Sequence, residues 1–201
     1  MAKQTLTNIT PTTKLVLNAE SVGLTPEQFF RLCRDNPELQ FELTAQKEII
    51  IMSPTGSETG WHNGEITRHL GNWAERDGTG LVFDSSTGFT LPNGAERAPD
   101  ASWIHRERWD ALTPGEQDVF ASICPDFVIE LRSKGNTLRE LQVKLEEYIA
   151  NGARLGWLID PIDHRVYVYR PSHAAECLEH PESVTGDPVL PGFELRLTGL
   201  W

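Results

Sequence analysis

The stretch PDFVIELRSKGN, residues 125–136, most constrains the fold, because it places charged residues in what otherwise reads as a buried strand. Side chains on a strand alternate between faces, so Asp126, Val128, Glu130 and Arg132 share one face. Isolated buried charges cost several kcal/mol or more, so a strand that keeps two of them needs a role for them. At about 3.3 Å per residue, Glu130 and Arg132 lie about 6.6 Å apart and can both reach one small site. Asp126, about 13 Å from Glu130, is too far away to share a metal ion with it.

The segments around this strand predict a mixed α/β fold. Capping residues and apolar periodicity predict an N-terminal helix, a hairpin within residues 39–52, and then a helix, three strands, a helix and two strands. This order implies a mixed β-sheet flanked by helices. Residues 105–124 are mixed and charged, which predicts an insertion with a short helix. The closing LPGFELRL predicts an edge strand.

Length and composition limit the class of protein. The chain has 201 residues, which predicts a single domain over 23–201 after a flexible, threonine-rich arm at 1–22. The formal net charge of −11 argues against a surface that coats nucleic acid, but allows one confined, metal-assisted site. The longest aliphatic stretch, 49–52, is far too short to span a membrane. Three scattered cysteines without a CxxC motif predict reduced thiols in a cytoplasmic protein.

The helix after the charged strand adds another cation. At about 100° per residue, Lys144 lies about 80° from the centre of the apolar stripe of this helix, and Gln142 falls on the opposite border. A carboxylate at Glu130 with cations at Arg132 and Lys144 suits a metal-bound phosphate, because Mg²⁺ binds carboxylate oxygens and the phosphate needs positive charge nearby. A purely structural interpretation stays open at this point. In it, Glu130 and Arg132 form a salt bridge at a solvated strand end, and Lys144 is a solvated residue.

The run from APDASWI, residues 98–104, through PDFVIELRSKGNTLRELQVKLEEYIANGARLGWLIDPIDHRVYVYRP, residues 125–171, resembles the Uma family. These are bacterial restriction-endonuclease-like proteins, abundant in cyanobacteria, of the PD-(D/E)XK superfamily. The similarity extends from about residue 24 to Trp201, and YIANGARLGWLIDP is its most specific segment. The resemblance implies a restriction-endonuclease-like α/β fold, with a mixed sheet flanked by helices and an N-terminal helix and hairpin extension.

The resemblance also implies a metal site. Asp100, which ends the PD motif, would supply the first metal carboxylate, and Glu130 would supply the second. The residue two positions after Glu130 is Arg132 and not the lysine of the motif. Lys144 stands where a lysine that has moved to the next helix would lie. We therefore expect the catalytic role for Lys144, because an arginine cannot readily act as a base. For Arg132 we expect a phosphate contact or an ion pair with Glu130.

Two accessory candidates complete the predicted site. Glu65 fits an acidic position that some superfamily members use, and Gln142 is the other. The expected activity is hydrolysis of DNA phosphodiester bonds with Mg²⁺ or Mn²⁺, which lowers the pKa of the attacking water. Superfamily members often cut two strands with two sites, so a homodimer is expected.

An alternative function is a DNA- or protein-interaction module that retains the fold without catalysis. Residues 126–147 contain four Lys or Arg and five Asp or Glu, which is not a basic DNA-binding stripe. Divalent-metal binding that depends on Asp100 and Glu130 would distinguish the nuclease from this module.

Overall fold

The computed structural model describes residues 14–201. Within them the α-helices are α1 (Pro26–Asp35), α2 (Ser57–Asp77), α3 (Arg106–Asp110), α4 (Pro114–Gln117) and α5 (Leu138–Ala150). The strands are β1 (Leu15–Asn18), β2 (Gln40–Leu43), β3 (Glu48–Met52), β4 (Gly80–Asp84), β5 (Phe89–Thr90), β6 (Glu96–Arg97), β7 (Ala101–His105), β8 (Phe127–Leu131), β9 (Leu155–Asp160), β10 (Arg165–Tyr169), β11 (Glu176–Glu179), β12 (Ser183–Thr185) and β13 (Glu194–Arg196). None of the helices in this part of the chain has the length and apolarity needed to cross a bilayer.

Six strands form the main sheet, in the order β11, β10, β9, β8, β7, β4. The central pair, β8 and β9, is parallel, and the other neighbours are antiparallel. Parallel strands need a crossover connection, and α5 provides it between β8 and β9. The main sheet is therefore mixed and flanked by helices, which confirms the predicted fold class.

The two faces of the main sheet bury separate apolar clusters. On one face, Phe127 and Ile129 of β8 pack with residues of α2 and of the C-terminal segment. On the other face, Val128 packs with Leu145 and its neighbours on α5. Because side chains alternate along a strand, Glu130 lies on the α5 face. The position of α5 therefore decides what this carboxylate meets.

Local signals in the sequence set the start of α5. The side chain of Thr137 accepts a hydrogen bond from the backbone N–H of Glu140, and the Glu140 carboxylate accepts one from the backbone N–H of Thr137, which completes a capping box. The helix then runs to Ala150, where the predicted C-terminal glycine, Gly152, follows with a positive φ of 111°. The predicted helix is thus confirmed, and its apolar residues Leu141 and Leu145 face the sheet.

A second sheet has the strand order β1, β3, β2, β6, β5. The predicted hairpin is confirmed as β2 and β3, with Phe41 opposite Ile51. Through β6 it is joined to the segment that leads into β7, so it forms one wall of a cleft. Of the predicted arm, residues 1–13 lie outside the described residues. Residues 15–18 form β1 and pair with β3, which differs from the flexible segment expected there.

The C-terminal segment contains the strand predicted in LPGFELRL. It is present as β13 and pairs with β12 in a separate two-stranded sheet, a partner that the prediction did not specify. Phe193, Leu195 and Leu197 join the apolar cluster on the α2 side of the main sheet. Alternation of apolar residues predicts a strand, but it does not specify the strand's partner.

Candidate active site

A cleft of about 1490 Å³ lies between the second sheet, the end of β8 and the first half of α5. The N-terminal half of α2 forms part of its wall. Three of the residues predicted from the sequence line this cleft: Asp100, Glu130 and Lys144. Two residues that were not predicted, Glu42 and Asn63, line it as well. The chemistry available in the cleft depends on how these five side chains meet.

Asp100 and Glu130 lie across from each other on neighbouring strands. Strands β7 and β8 are antiparallel and pair Ala101 with Ile129. Continued by one residue, this register sets Asp100, just before β7, opposite Glu130 of β8. Directly opposite residues of antiparallel strands point to the same face. The Oδ2 of Asp100 accepts a hydrogen bond of 2.7 Å from the backbone N–H of Leu131, which ties this carboxylate to the end of β8. Two carboxylates therefore meet where β7 begins and β8 ends.

Lys144 contacts one of these carboxylates directly. Its Nζ lies 2.8 Å from Oε1 of Glu130 and 2.6 Å from Oε1 of Glu42. It also donates a hydrogen bond of 3.2 Å to the backbone carbonyl of Ala98, two residues before Asp100. The side chain of Lys144 is only 13% exposed, so its charge is balanced mainly by protein groups. The cation predicted to reach back from α5 therefore does reach Glu130.

Glu42 is one of the two residues of the cleft that the sequence did not predict. It lies on β2 and is 3% exposed, and its Oε2 accepts a hydrogen bond of 3.0 Å from Arg97, which also binds Glu147 at 2.6 Å. Its Oε1, besides contacting Lys144, accepts a bond of 3.3 Å from the backbone N–H of Ala98. Its position between apolar Phe41 and Leu43 is typical of the solvent face of a strand, so only the packing of the second sheet reveals its burial.

Asn63 and Tyr148 complete the surroundings of the carboxylates. The Nδ2 of Asn63 donates a hydrogen bond of 2.7 Å to Oδ1 of Asp100. Its Oδ1 is buried and finds no partner among the described residues. The hydroxyl of Tyr148 donates to Oε1 of Glu130 at 3.3 Å, a long hydrogen bond. An unpartnered buried oxygen beside Asp100 is unusual, because buried polar atoms are normally hydrogen-bonded.

Burial and crowding of charge shift the pKa values of the cluster. Burial raises the pKa of Glu130 to about 8, against the opposing charge of Lys144 and with the support of Asp100 and Glu42. Burial also raises the pKa of Asp100. Burial would raise the pKa of Glu42 as well, but the charges of Lys144 and Arg97 outweigh it and lower that pKa. The ionised form is therefore favoured more at Glu42, which contacts both Lys144 and Arg97, than at Glu130, which contacts Lys144.

The pKa of Lys144 is raised, because Glu130 and Glu42 together outweigh the lowering effect of burial. A lysine that is to remove a proton from water needs the opposite shift. Of the tasks that a lysine can have at such a site, its two carboxylate contacts favour orienting a water or neutralising charge over removing a proton. Its contacts suit a fixed positive charge next to Glu130.

Arg132 lies outside this cluster. Strand β8 ends at Leu131, and the Nη1 of Arg132 contacts Oδ2 of Asp160 at 2.6 Å and Oδ2 of Asp163 at 2.9 Å. The ion pair expected between Arg132 and Glu130 is not among the contacts of the described residues. The strand alternation that underlies this expectation stops at Leu131, so it does not fix the direction of the next side chain.

The two accessory candidates are not brought into the cleft either. Glu65 lies on α2 and forms a partly exposed ion pair of 2.6 Å with Arg68, which lowers the pKa of Glu65. Gln142 lies on α5 and is half-buried, whereas its neighbours on the helix, Leu141 and Val143, line the cleft. Helical spacing predicts the side of α2 or α5 on which each residue lies, but it does not bring either residue to Asp100 and Glu130.

The residues present fit a divalent cation. The described residues contain no cluster of three or more His, Cys, Asp or Glu side chains that could hold a metal, so the donor set rests on fewer carboxylates. Asp100 and Glu130 offer two carboxylates, and the unpartnered Oδ1 of Asn63 lies beside them. Oxygen donors of these kinds are those that Mg²⁺ prefers. The ion-pair cluster contains three carboxylates and two cations: Glu42, Glu130, Glu147, Lys144 and Arg97. Asp100, outside these pairs, adds a further carboxylate to the same cleft.

Comparisons with known proteins agree with this architecture. A family model described as "Uma2: Putative restriction endonuclease" matches residues 26–198. The crystal structure of a protein from Anabaena variabilis, titled a putative nuclease belonging to DUF820, is similar with a TM-score of 0.71 and 22% identity, over 88% of this chain and 97% of that chain. At that identity the match establishes a shared fold. A comparison with curated proteins gave no match. The family match confirms the resemblance seen in residues 98–171.

Proposed function

The chain belongs to the Uma2 family of restriction-endonuclease-like proteins, and on that premise we propose that it is a metal-dependent nuclease that hydrolyses phosphodiester bonds in DNA. One observation carries the proposal. Asp100, directly before β7, and Glu130, in β8, line the same cleft, and Lys144 lies 2.8 Å from Glu130. Two carboxylates with an adjacent cation are the groups that metal-assisted phosphodiester hydrolysis requires.

Each residue has a distinct task in this proposal. Asp100 and Glu130 hold Mg²⁺ or Mn²⁺, and Asn63 orients Asp100 through its 2.7 Å hydrogen bond. When bound, the cation supplies a water of lowered pKa and positive charge for the phosphate. Lys144 keeps a fixed positive charge at the edge of the site, where it can orient a water or offset charge on a phosphoryl oxygen. Its two carboxylate contacts favour these tasks over removal of a proton.

The test of this proposal is cleavage of labelled DNA by the full chain with Mg²⁺ or Mn²⁺. We expect cleavage that EDTA abolishes and that Asp100→Asn reduces by about 100-fold or more, since loss of a metal ligand removes the cation's contribution. Asp163→Asn is the matched control, because it removes a carboxylate that pairs with Arg132 outside the cluster. Undiminished cleavage by Asp100→Asn would contradict the assignment of Asp100 as a ligand of the active site.

Substrate and assembly form a further part of the proposal. We propose DNA as the substrate and a homodimer as the active assembly. Parallel assays with duplex DNA, single-stranded DNA and RNA, together with sedimentation of the full chain, decide both points. Equal cleavage of RNA would contradict the assignment to DNA, and a monomer at the concentrations that support cleavage would contradict the dimer.

A non-catalytic interaction module is the second candidate function, and surface charge favours it. The net charge is −11, and most cations around the cleft are paired. Lys14 contacts Glu140 at 3.2 Å and Arg139 contacts Glu146 at 3.3 Å. A nucleic-acid site needs cations that are free to bind phosphates. This candidate predicts a folded chain that binds no divalent cation through Asp100, which a Mn²⁺ titration of wild type and Asp100→Asn measures.

A further inference from the structure

Three separate parts of the fold meet at the ammonium of Lys144. Glu130 comes from the main sheet, Lys144 from α5, and Glu42 from the second sheet. The Nζ of Lys144 lies 2.6 Å from Glu42 and 2.8 Å from Glu130. Of these three residues, the proposed nuclease site uses Glu130 and Lys144. The closer of the two carboxylate partners is therefore so far without a role.

Glu42 is held in a defined orientation. It is 3% exposed, Arg97 binds its Oε2 at 3.0 Å, and the backbone N–H of Ala98 binds its Oε1 at 3.3 Å. These contacts leave Oε1 facing Lys144. The described residues form no three-carboxylate metal cluster, although Glu42, Asp100 and Glu130 all line one cleft. Glu42 is thus placed as a partner of the lysine and not as a third metal ligand.

A metal cation bound to Glu130 would deprive the Lys144 ammonium of this carboxylate partner. Two positive charges a few ångströms apart repel each other, and strongly so in a partly buried site. If Glu130 were the only carboxylate at Lys144, metal binding would leave a mostly buried ammonium without a partner, which is strongly unfavourable. With Glu42 present, the ammonium keeps one carboxylate when the metal occupies the other.

We infer that Glu42 is a positioning residue: it retains Lys144 at the site when a divalent cation binds Asp100 and Glu130. The inference rests on the proposed metal-dependent function and assigns a role to the second sheet, which supplies a residue to the site on the main sheet. In this arrangement, a metal can bind Glu130 while Lys144 stays at the site, because Lys144 keeps its contact with Glu42.

A double-mutant cycle on Mn²⁺ binding tests the inference. The full-length chain is titrated with Mn²⁺, and free Mn²⁺ is measured by electron paramagnetic resonance for wild type, Glu42→Gln, Lys144→Met and the double variant. We expect Glu42→Gln to weaken binding by about tenfold or more when Lys144 is present, and by about threefold or less in the Lys144→Met background, because residues that act through each other are not additive. Glu42→Asp, which keeps the charge, should restore part of the affinity.

Controls separate this role from a general effect of charge or folding. Glu147→Gln removes one carboxylate from the other side of Arg97 without touching Lys144, and it should change Mn²⁺ affinity by about threefold or less. Thermal melting establishes that each variant is folded. If Glu42→Gln does not fold, the same cycle is completed with Glu42→Met, which also removes the carboxylate from Lys144.

The outcomes distinguish two failures. Equal weakening by Glu42→Gln in both backgrounds overturns the positioning role, because a direct ligand or a remote charge acts whether or not Lys144 is present. If wild type binds no Mn²⁺ that Asp100→Asn removes, the proposed nuclease site fails and the role of Glu42 fails with it. If Mn²⁺ binds through Asp100 but Glu42 and Lys144 are not coupled, the role of Glu42 is wrong and the proposed nuclease site stands.

Discussion

Two clusters in this protein each place one cation between two carboxylates, and they have different consequences. At one cluster, Arg132 contacts Asp160 at 2.6 Å and Asp163 at 2.9 Å. At the other, Lys144 contacts Glu42 at 2.6 Å and Glu130 at 2.8 Å. Both clusters involve strand ends of the main sheet. One carboxylate of the first cluster, Asp160, and both carboxylates of the second, Glu42 and Glu130, are almost completely buried. Contact distances therefore do not distinguish a structural ion pair from a candidate active site.

Hydrogen bonds to the buried carboxylates distinguish the clusters. While Oδ2 of Asp160 binds Arg132, its Oδ1 accepts backbone N–H groups of Ile162 and Asp163 at 3.1 and 3.3 Å. Within residues 14–201, Glu130 receives only the shared ammonium and a long bond from Tyr148, and burial raises its pKa to about 8. Backbone N–H groups thus complete the hydrogen bonding of Asp160. Asp100 at the candidate site also accepts a backbone N–H, from Leu131, so the contrast holds for Glu130 and not for both carboxylates of the site. A carboxylate left with too few partners is suited to accept a cation.

The largest expected effect is on stability, at the cluster of Arg132. Arg132→Met removes the cation from a fully buried Asp160, and breaking a buried pair in this way should lower the free energy of unfolding by about 3 kcal/mol. Urea denaturation at neutral pH measures the loss. Arg139→Met is the control, because its exposed pair with Glu146 contributes about 0.5 kcal/mol or less. Equal losses in both variants would show that Asp160 does not depend on Arg132.

The next effect is on turnover, at the cluster of Lys144. Lys144→Met should lower kcat by about 100-fold or more, an electrostatic loss, while metal binding is retained. Arg132→Met, assayed in the same way at a temperature where it is folded, should keep kcat within about threefold, since Arg132 contacts no carboxylate of the site. The reverse result, with loss of kcat in Arg132→Met alone, would mean that Arg132 replaces the motif lysine.

A third buried carboxylate tests whether missing partners are the cause of raised pKa values. Glu96 on β6 is 2% exposed, its Oε1 has no partner in the described part of the chain, and its Oε2 accepts a bond of 2.7 Å from Thr90. Burial raises its pKa from 4.5 to about 7, only partly opposed by Thr90 and Lys47. The folded state therefore holds a proton that the unfolded chain releases, so this residue makes stability fall as pH rises from 4.5 through about 7.

Glu96→Gln keeps the shape of the side chain and removes this titration. At pH 8 the variant should be about 2 kcal/mol more stable than wild type, and at pH 4 the difference should vanish or reverse. Urea denaturation of both proteins across this pH range gives the comparison. A constant difference at all pH values would mean that Glu96 does not titrate in the folded protein.

The last expected effect is the pH dependence of metal binding at Glu130. Because the pKa of Glu130 is about 8, a metal that binds its carboxylate must displace a proton at lower pH. Mn²⁺ affinity should therefore rise by about tenfold per pH unit from pH 6 to 8 and then level off. In Glu130→Gln the remaining affinity should lack this slope. A flat profile in wild type would mean that Glu130 is ionised well below pH 8.

Local patterns in the sequence predicted most of the elements that hold the site. The apolar run 127–131, the cap at Thr137 and the hairpin within 39–52 all involve interactions between residues a few positions apart. The same patterns were insufficient for β13, because a strand's partner depends on surfaces elsewhere in the chain. They were also insufficient for Arg132, because it lies just beyond the last residue of β8.

Sequence alone predicted the family and the mixed sheet. The spacing of strand and helix proposed Glu130 and Lys144 as site residues, and the family resemblance added Asp100. Tertiary structure alone decided that Glu42 joins Lys144 and that Arg132 turns to Asp160. The physical reason is that ion pairs between distant segments depend on how two sheets and a helix pack. A buried charge must then take the partner that this packing brings within reach.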